Sequence, residues 1–190
     1  NIGSKSGTWH DMMNSAHWFA AWYRACADRL RPDGALWTFA NWRSLPVVMR
    51  AASDAGLPVV SCLVWDKDWI GPGGSVGLRP SYEVVLLLPM PDFAIPNRGL
   101  PDVWREPWSS KKPNGHPAEK PVPLLRRIIE ASGYGLAAGR PGVVCDPFMG
   151  SGSTLVAAVE CGCEAIGIEQ HEPWIEVASS RLAASPLFAT

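Results

Sequence analysis

Residues 143–154, VVCDPFMGSGST, decide the fold of this 190-residue chain. The apolar run 142–146 predicts a strand and residues 153–161 predict a helix, so two glycines fall in the turn between them. Glycine allows positive φ and close approach of a ligand to the backbone, and a helix N-terminus offers free N–H groups with a partial positive charge. The segment therefore predicts a strand–loop–helix unit that binds a nucleotide-like cofactor; the alternative is a tight turn without a ligand.

An acidic residue at the end of the next predicted strand narrows the choice of cofactor. Glu169 closes the run 165–169 and lies 23 residues after Asp146, since 169 − 146 = 23. An acid about 20 residues along accepts the ribose hydroxyls in nucleotide-binding α/β folds. A dinucleotide fold would carry a third glycine where Leu155 stands, which counts against NAD or FAD. One ribose without a pyrophosphate site indicates S-adenosylmethionine.

Short apolar runs alternate with helical patterns along the rest of the chain. The alternation predicts an α/β fold in which a mostly parallel, twisted sheet carries helices on both faces, formed by residues 1–190 as a single domain. Prolines recur through 89–121 without periodicity, which predicts a long irregular connection. The remaining predicted strands are 35–40, 58–65 and 83–88, and the remaining helices are 11–31, 44–56, 123–131 and 173–184.

Composition excludes several classes of protein. With 47% hydrophobic and 18% charged residues, the chain can bury a core and is neither disordered nor fibrous. Its longest apolar runs are far shorter than the roughly 18 residues that span a bilayer. The net charge of −1 means that any polyanion site must be a local patch. Five cysteines is an odd number, and Cys26, Cys62 and Cys145 lie in apolar segments, which favours free thiols in a reducing compartment.

Two further motifs complete an ordered set. Gly115-His116-Pro117-Ala118-Glu119-Lys120-Pro121 precedes the 146–154 segment, and Gly167-Ile168-Glu169 follows it. The set resembles the β-class amino DNA methyltransferases, which methylate N6 of adenine or N4 of cytosine, over nearly the whole chain. The resemblance implies a Rossmann-like methyltransferase fold, S-adenosylmethionine as cofactor, no metal, double-stranded DNA with a flipped target base, and the cytoplasm of a prokaryote or its phage, as in restriction-modification systems.

The same resemblance assigns a cofactor site. It implies that Asp146 lies near the methionine amino group, that Glu169 holds the ribose, and that His116 and Lys120 close over the methionine end. The loop itself is implied to consist of Pro147, Phe148, Gly150, Ser151, Gly152 and Ser153.

The family's catalytic tetrapeptide, an acid, asparagine or serine followed by two prolines and an aromatic, is absent from these residues. The resemblance places it directly before Asn1, so the catalytic residues are expected upstream, and a degenerate, inactive homologue is the alternative. Adenine N6 is the expected target and cytosine N4 the alternative. A small-molecule or RNA methyltransferase is disfavoured by the 115–121 motif and by a local basic segment.

That basic segment runs from 103 to 127, where six basic residues face two acidic ones, a local charge of 6 − 2 = +4. Cations interleaved with tryptophan are typical of nucleic-acid binding, although a charge run is often only a solvated face. Residues 91–114 form a short candidate target-recognition insert, so we expect low or short-site specificity. Trp65 is the candidate for stacking on the flipped base, against a core role. The candidate DNA contacts are Trp65, Lys67, Trp104, Arg105, Trp108, Lys111 and Lys112.

Overall fold

The computed structural model describes residues 16–71, 76–108 and 114–184, which fall into two compact units. Unit 1 comprises the described residues up to 94 together with 101–105, and unit 2 comprises 95–100 and those from 106 onward. The single domain expected from the sequence stays a prediction. The predicted insert 91–114 is divided between them, and its residues 109–113 lie outside the described ranges.

Unit 1 holds a four-stranded sheet and two helices. The strand order is β1-β3-β2-β4. Strand β4, which lies in the segment predicted to be irregular, was missed because three residues are too few to show a period. The elements are α1 (Ala16–Ala27), β1 (Ala35–Ala40), α2 (Leu45–Asp54), β2 (Ser61–Asp66), β3 (Tyr82–Pro89) and β4 (Val103–Arg105). The predicted start of the first helix, at residue 11, lies outside the described residues.

The strand directions differ from the mostly parallel sheet that was predicted. Strand β3 lies between β1 and β2 and runs antiparallel to both, so that Leu86 pairs with Thr38 on one side and with Cys62 on the other. Strand β4 is parallel to β2. Residues 84–88 are all buried, which matches the continuous apolar run expected of a strand covered on both faces. The apolar run indicates that the strand is buried, but it does not indicate whether the strand runs parallel or antiparallel to its neighbours.

The core of unit 1 forms where both helices pack on one face of the sheet. Phe19 and Tyr23 of α1 and Val48 of α2 meet alternate residues of β3, among them Leu86 and Leu88. The period of three and four in the helices and of two in the strand thus places apolar side chains on facing surfaces.

Unit 2 contains a parallel βαβ unit preceded by a helix. Strands β5 and β6 pair in parallel, with Asp146 opposite Gly167 at their carboxyl ends. Helix α4 joins the two strands and buries Leu155 and Ala158, and α3 buries Leu124 and Ile128. The elements are α3 (Val122–Ala131), a 3₁₀ turn (Leu136–Ala138), β5 (Val143–Asp146), α4 (Ser153–Glu160), β6 (Glu164–Gly167) and α5 (Glu172–Ala183). None of the helices described in either unit is both long and apolar enough to cross a membrane.

Candidate functional site

The glycine loop follows β5 at the carboxyl edge of the parallel pair in unit 2. Asp146 ends the strand, and its Oδ1 accepts the N–H of Phe148 at 3.0 Å, so the side chain closes an Asx-type turn. Gly150 at φ +50° and Gly152 at φ +77° are both left-handed, a conformation that costs other residues about 1–2 kcal/mol. The backbone thus reverses and enters α4 at Ser153, as the sequence predicted.

The two glycines also let other groups approach the loop closely. A Cβ on Gly152 would stand 2.7 Å from the Cβ of Ala178 on α5. A Cβ on Gly150 would stand 2.7 Å from Nε2 of His116. A side chain at either position would therefore displace α5 or the imidazole.

Glu169 is held by three backbone N–H groups. Its Oε2 accepts the N–H of Gly150 at 3.1 Å, and its Oε1 accepts those of Gln170 and His171, each at 2.9 Å. These bonds fix the carboxylate beside the glycine loop. A carboxylate offers roughly four lone-pair positions, so these bonds leave room for one ligand hydroxyl without rearrangement.

The structure brings His116 to the loop and shows a local contact for Lys120. The His116 imidazole meets Trp174 of α5 edge to face, with ring centroids 4.7 Å apart, while it covers Gly150. The Lys120 ammonium donates to the carbonyl of Ala118 at 3.3 Å. His116 therefore lies against the glycine loop, and the closing roles of His116 and Lys120 both remain predictions.

The loop's other side chains divide into exposed and buried. Phe148 is 52% exposed and Pro147 is half-buried, so both can face a ligand. Ser151 and Ser153 are buried, and each hydroxyl oxygen accepts a hydrogen bond from Arg181. We therefore expect these two serines to meet a cofactor through their backbone rather than through their hydroxyls.

Arg181 also contacts the loop, although the sequence analysis did not single it out. Its Nη1 also donates to the Ser151 carbonyl at 2.6 Å, and its Nη2 lies 3.7 Å from Oε1 of Glu119. Burial lowers the pKa of this guanidinium, and the Glu119 carboxylate acts against that shift. A basic residue in the last turn of a helix is ordinary, so the residue pattern alone does not single out Arg181.

The tryptophans proposed to contact DNA are corrected in two of three cases. Trp65 is completely buried and meets Phe39 edge to face, and Trp104 is 4% exposed with its indole N–H donating to the Pro101 carbonyl. Neither ring presents a face for stacking on a base, so the core alternative for Trp65 is the one that the structure supports. Trp108 is half-buried and stays a candidate.

Two of the proposed DNA-contacting cations are paired with carboxylates inside unit 1. The Lys67 ammonium lies 2.5 Å from Oε1 of Glu83, and both side chains are largely buried. This pairing counts against a direct DNA contact by Lys67, which stays a prediction. Arg105 is paired with Asp68 but keeps an exposed side chain, so it stays a candidate. Lys111 and Lys112 lie outside the described residues.

None of the five cysteines, all of which lie in the described ranges, forms a disulfide. Cys26 is half-buried, whereas Cys62 and Cys145 are exposed although the segments around them are apolar. Burial of the sulfur and the charge of Asp146 raise the pKa of Cys145. Within the described ranges, no group of three or more His, Cys, Asp or Glu side chains is placed to hold a metal ion.

Solved structures share this fold. A complex of M1.HpyAVI with SAM has a TM-score of 0.68 at 23% identity, covering 87% of this chain and 81% of that one. The PvuII DNA methyltransferase, described as cytosine-N4-specific, has a TM-score of 0.67 at 16% identity, covering 90% and 73%. These likenesses confirm the predicted α/β class and its Rossmann-like methyltransferase form.

The amino-acid sequence is also similar to those of two bacterial proteins. The protein YubD of Escherichia coli (strain K12) is 37% identical over 155 residues, which cover 82% of this chain and 64% of that protein. The type II methyltransferase M2.DpnII of Streptococcus pneumoniae is 28% identical over 189 aligned residues, covering 86% and 65%. The chain thus spans less than two thirds of the length of either protein.

A family model described as DNA methylase (N6_N4_Mtase) matches residues 1–180, a range that includes the His116–Lys120 motif, the glycine loop and Glu169. By this match, and by its identity to YubD, the chain belongs to the N6/N4 DNA methylase family.

Proposed function

We propose that this chain is part of an S-adenosylmethionine-dependent DNA methyltransferase that modifies N6 of adenine. The observation that carries the proposal is the glycine loop, whose left-handed Gly150 and Gly152 are held against a backbone-bonded Glu169. Membership of the DNA methylase family and the fold shared with the M1.HpyAVI–SAM complex support it.

The residues of unit 2 fit the proposed cofactor in their chemistry. Glu169 has acceptor capacity for a ribose hydroxyl, Asp146 offers a carboxylate to an ammonium group, and the exposed Phe148 ring offers an apolar face. The N-terminus of α4 favours a carboxylate. When bound, S-adenosylmethionine supplies a methyl group activated by its sulfonium.

In this proposal the described residues bind and orient the cofactor, and they do not activate the amine. An exocyclic amino group is conjugated into its base and is a poor nucleophile, so positioning in line with the methyl group and hydrogen bonding to the amine are the main sources of rate. Acceptance of the amine hydrogens is assigned to the tetrapeptide predicted from the resemblance, and it remains a prediction. The loop and Glu169 fix the cofactor against which the base is aligned.

Double-stranded DNA is the proposed substrate, with the target base flipped out of the helix because its amine is otherwise buried in pairing. The local charge of +4 over 103–127 supplies a patch for phosphates on a chain of net charge −1. Cytosine N4 is the second candidate target, because the PvuII enzyme that shares the fold is described as cytosine-N4-specific.

The proposal is tested with the full-length protein, unmethylated duplex DNA and S-adenosylmethionine carrying a tritiated methyl group. Digestion of the DNA to nucleosides and mass spectrometry then identify the product. We expect N6-methyldeoxyadenosine. N4-methyldeoxycytidine would replace the adenine assignment by the cytosine one. Cofactor binding without any methylated nucleoside would identify an inactive homologue, and absence of cofactor binding would overturn the proposal.

A further inference from the structure

We infer that Arg181 is a positioning residue for the cofactor site: it sets the shape of the glycine loop and ties that loop to the segment 114–120. The inference rests on the proposed function, because it concerns the affinity of that same site for S-adenosylmethionine. Arg181 lies on α5, outside every motif that the sequence analysis singled out.

The guanidinium has two sets of partners. Nη1 faces the loop, with the Ser151 carbonyl at 2.6 Å, the Ser153 hydroxyl at 3.1 Å and the Ser151 hydroxyl at 3.2 Å. Nη2 faces the other way, 3.7 Å from Oε1 of Glu119. One planar group therefore joins the turn between Gly150 and α4 to the carboxylate of Glu119. Glu119 precedes α3 in sequence and lies 151 − 119 = 32 residues before Ser151.

Burial makes each of these two charges costly unless a protein group pairs with it. The side chains of Arg181 and Glu119 are only 16% and 10% exposed, so each charge depends on its protein partners rather than on water. The Glu119 oxygen that faces Arg181 also accepts a hydrogen bond from Nδ2 of Asn114 at 2.8 Å. Asn114 and Arg181 thus meet the same oxygen of the Glu119 carboxylate.

The segment 114–120 meets the loop directly at one point and through Arg181 at a second. His116 lies against Gly150, where a Cβ would overlap the imidazole, and Glu119 lies beside Arg181, which holds Ser151 and Ser153. Gly150, at the first of these points, also donates its N–H to Glu169. Loosening Arg181 therefore alters the loop on which the proposed ribose-binding carboxylate depends.

Replacing Arg181 by lysine distinguishes the effect of its charge from the effect of its geometry. A guanidinium is a rigid fork whose nitrogens serve partners on different sides, whereas an ammonium is a single point of charge. Arg181→Lys keeps the cation but cannot hold Glu119 and both serines together. Glu119→Gln keeps the acceptor for Asn114 and removes the charge that faces Arg181.

The experiment measures cofactor binding to the full-length protein by titration calorimetry. It uses S-adenosylmethionine and its demethylated product, S-adenosylhomocysteine. The variants are Arg181→Lys, Glu119→Gln and the double variant, and the matched control is Arg140→Lys, an exposed arginine of unit 2 that stacks on Tyr134. Thermal unfolding of each protein is recorded in the same buffer.

We expect Arg181→Lys to raise the cofactor Kd about tenfold with an unchanged binding stoichiometry. Glu119→Gln should raise the Kd by less, and the double variant should bind more tightly than the product of the single effects predicts, because the two residues share one network of contacts. At saturating cofactor, kcat should stay near the wild-type value while the KM for cofactor rises. Arg140→Lys should bind as the wild type does.

Other results would overturn the inference. A purely structural role would lower the melting temperature and the fraction of binding-competent protein while the Kd of the folded molecules stays unchanged. Should Arg181→Lys fail to fold, an unchanged Kd in Glu119→Gln would be decisive against the inference. A wild-type protein that binds no cofactor would instead refute the proposed function, and the inference with it.

Discussion

Glu169 combines two tasks at the scale of a single residue. It accepts three backbone N–H groups, and we propose that it also accepts a ribose hydroxyl. Glu169→Ala should weaken S-adenosylmethionine binding by about 1–3 kcal/mol, since charge-assisted hydrogen bonds are lost. Calorimetry on the full-length protein measures this, with Glu164→Ala, an exposed carboxylate at the start of β6, as the control. Equal affinity of wild type and Glu169→Ala would remove Glu169 from the site.

Gly152 is constrained both by its conformation and by its neighbour Ala178. Gly152→Ala should lower the free energy of unfolding by about 1–2 kcal/mol through the left-handed φ, with a further 1–3 kcal/mol from overlap with α5. Gly139→Ala isolates the first effect, because Gly139 has φ +62° but no heavy atom within 4 Å of the added Cβ. Urea unfolding of both variants gives the comparison. Similar losses in the two would show that α5 does not press on the loop.

Tyr23, completely buried in the core of unit 1, predicts a pH dependence. Burial raises its pKa to about 12 from the model-compound value of 10.0. Above pH 10 the unfolded chain loses the phenol proton while the folded chain keeps it, so the free energy of unfolding falls as pH rises from 10 to 12. The loss should reach about 2–3 kcal/mol.

Comparison of wild type with Tyr23→Phe across that range measures the effect, since all other titrations are shared. The phenylalanine variant should lack this part of the alkaline loss. Tyr82→Phe, at an exposed site on β3, should retain it. Parallel pH profiles for wild type and Tyr23→Phe would contradict the prediction.

Sequence reasoning located the residues whose type is constrained by backbone chemistry and missed those constrained by tertiary contact. Glycines at 150 and 152 and an acid at 169 are readable because turns and strand ends demand them. Trp65 is no different in sequence from an exposed stacking residue, and only its burial in the sheet decides between the two roles. Arg181 was missed for the same reason, because its partners come from two distant segments.

At the scale of elements, β4 shows how little sequence is needed to extend a sheet. Its three residues pair with β2 and bury Trp104. Trp104→Ala should cost about 3–5 kcal/mol in the free energy of unfolding, because a large buried ring leaves a cavity. Trp104→Phe should cost less and should leave DNA affinity unchanged. Weaker DNA binding by a stable Trp104→Phe variant would restore the stacking role that the buried position argues against.

Most helices and strands could be predicted because their apolar periods match the surfaces that they bury. The strand directions could not. Strand β3 pairs antiparallel with both neighbours, yet its run of Val84–Leu88 resembles a central parallel strand, since burial on both faces removes the alternation that marks an antiparallel strand.

At the scale of the whole molecule, charge is distributed unevenly. The chain carries −1 overall while residues 103–127 carry +4, so the remainder carries −5. A protein of this balance gains little from its total field and must approach a polyanion through the local segment. Lys67, which lies outside this segment, is paired with Glu83, and Arg105 within it is paired with Asp68, so we expect the phosphate contacts mainly from the remaining cations of 103–127.

Lys111 and Lys112 are therefore the pair whose removal should weaken DNA binding most through electrostatics. Replacing both by alanine should reduce the slope of log affinity against log salt concentration by roughly one to two units, since each phosphate contact contributes about 0.9. Fluorescence anisotropy with duplex DNA at several salt concentrations measures the slope. Arg29→Ala with Arg31→Ala is the matched control, because both residues are exposed in unit 1 and their loss changes the net charge equally. An equal fall in slope for the two double variants would mean that DNA senses the net charge of the protein rather than the 103–127 segment, and an unchanged slope for the lysine pair would leave that segment as solvated surface.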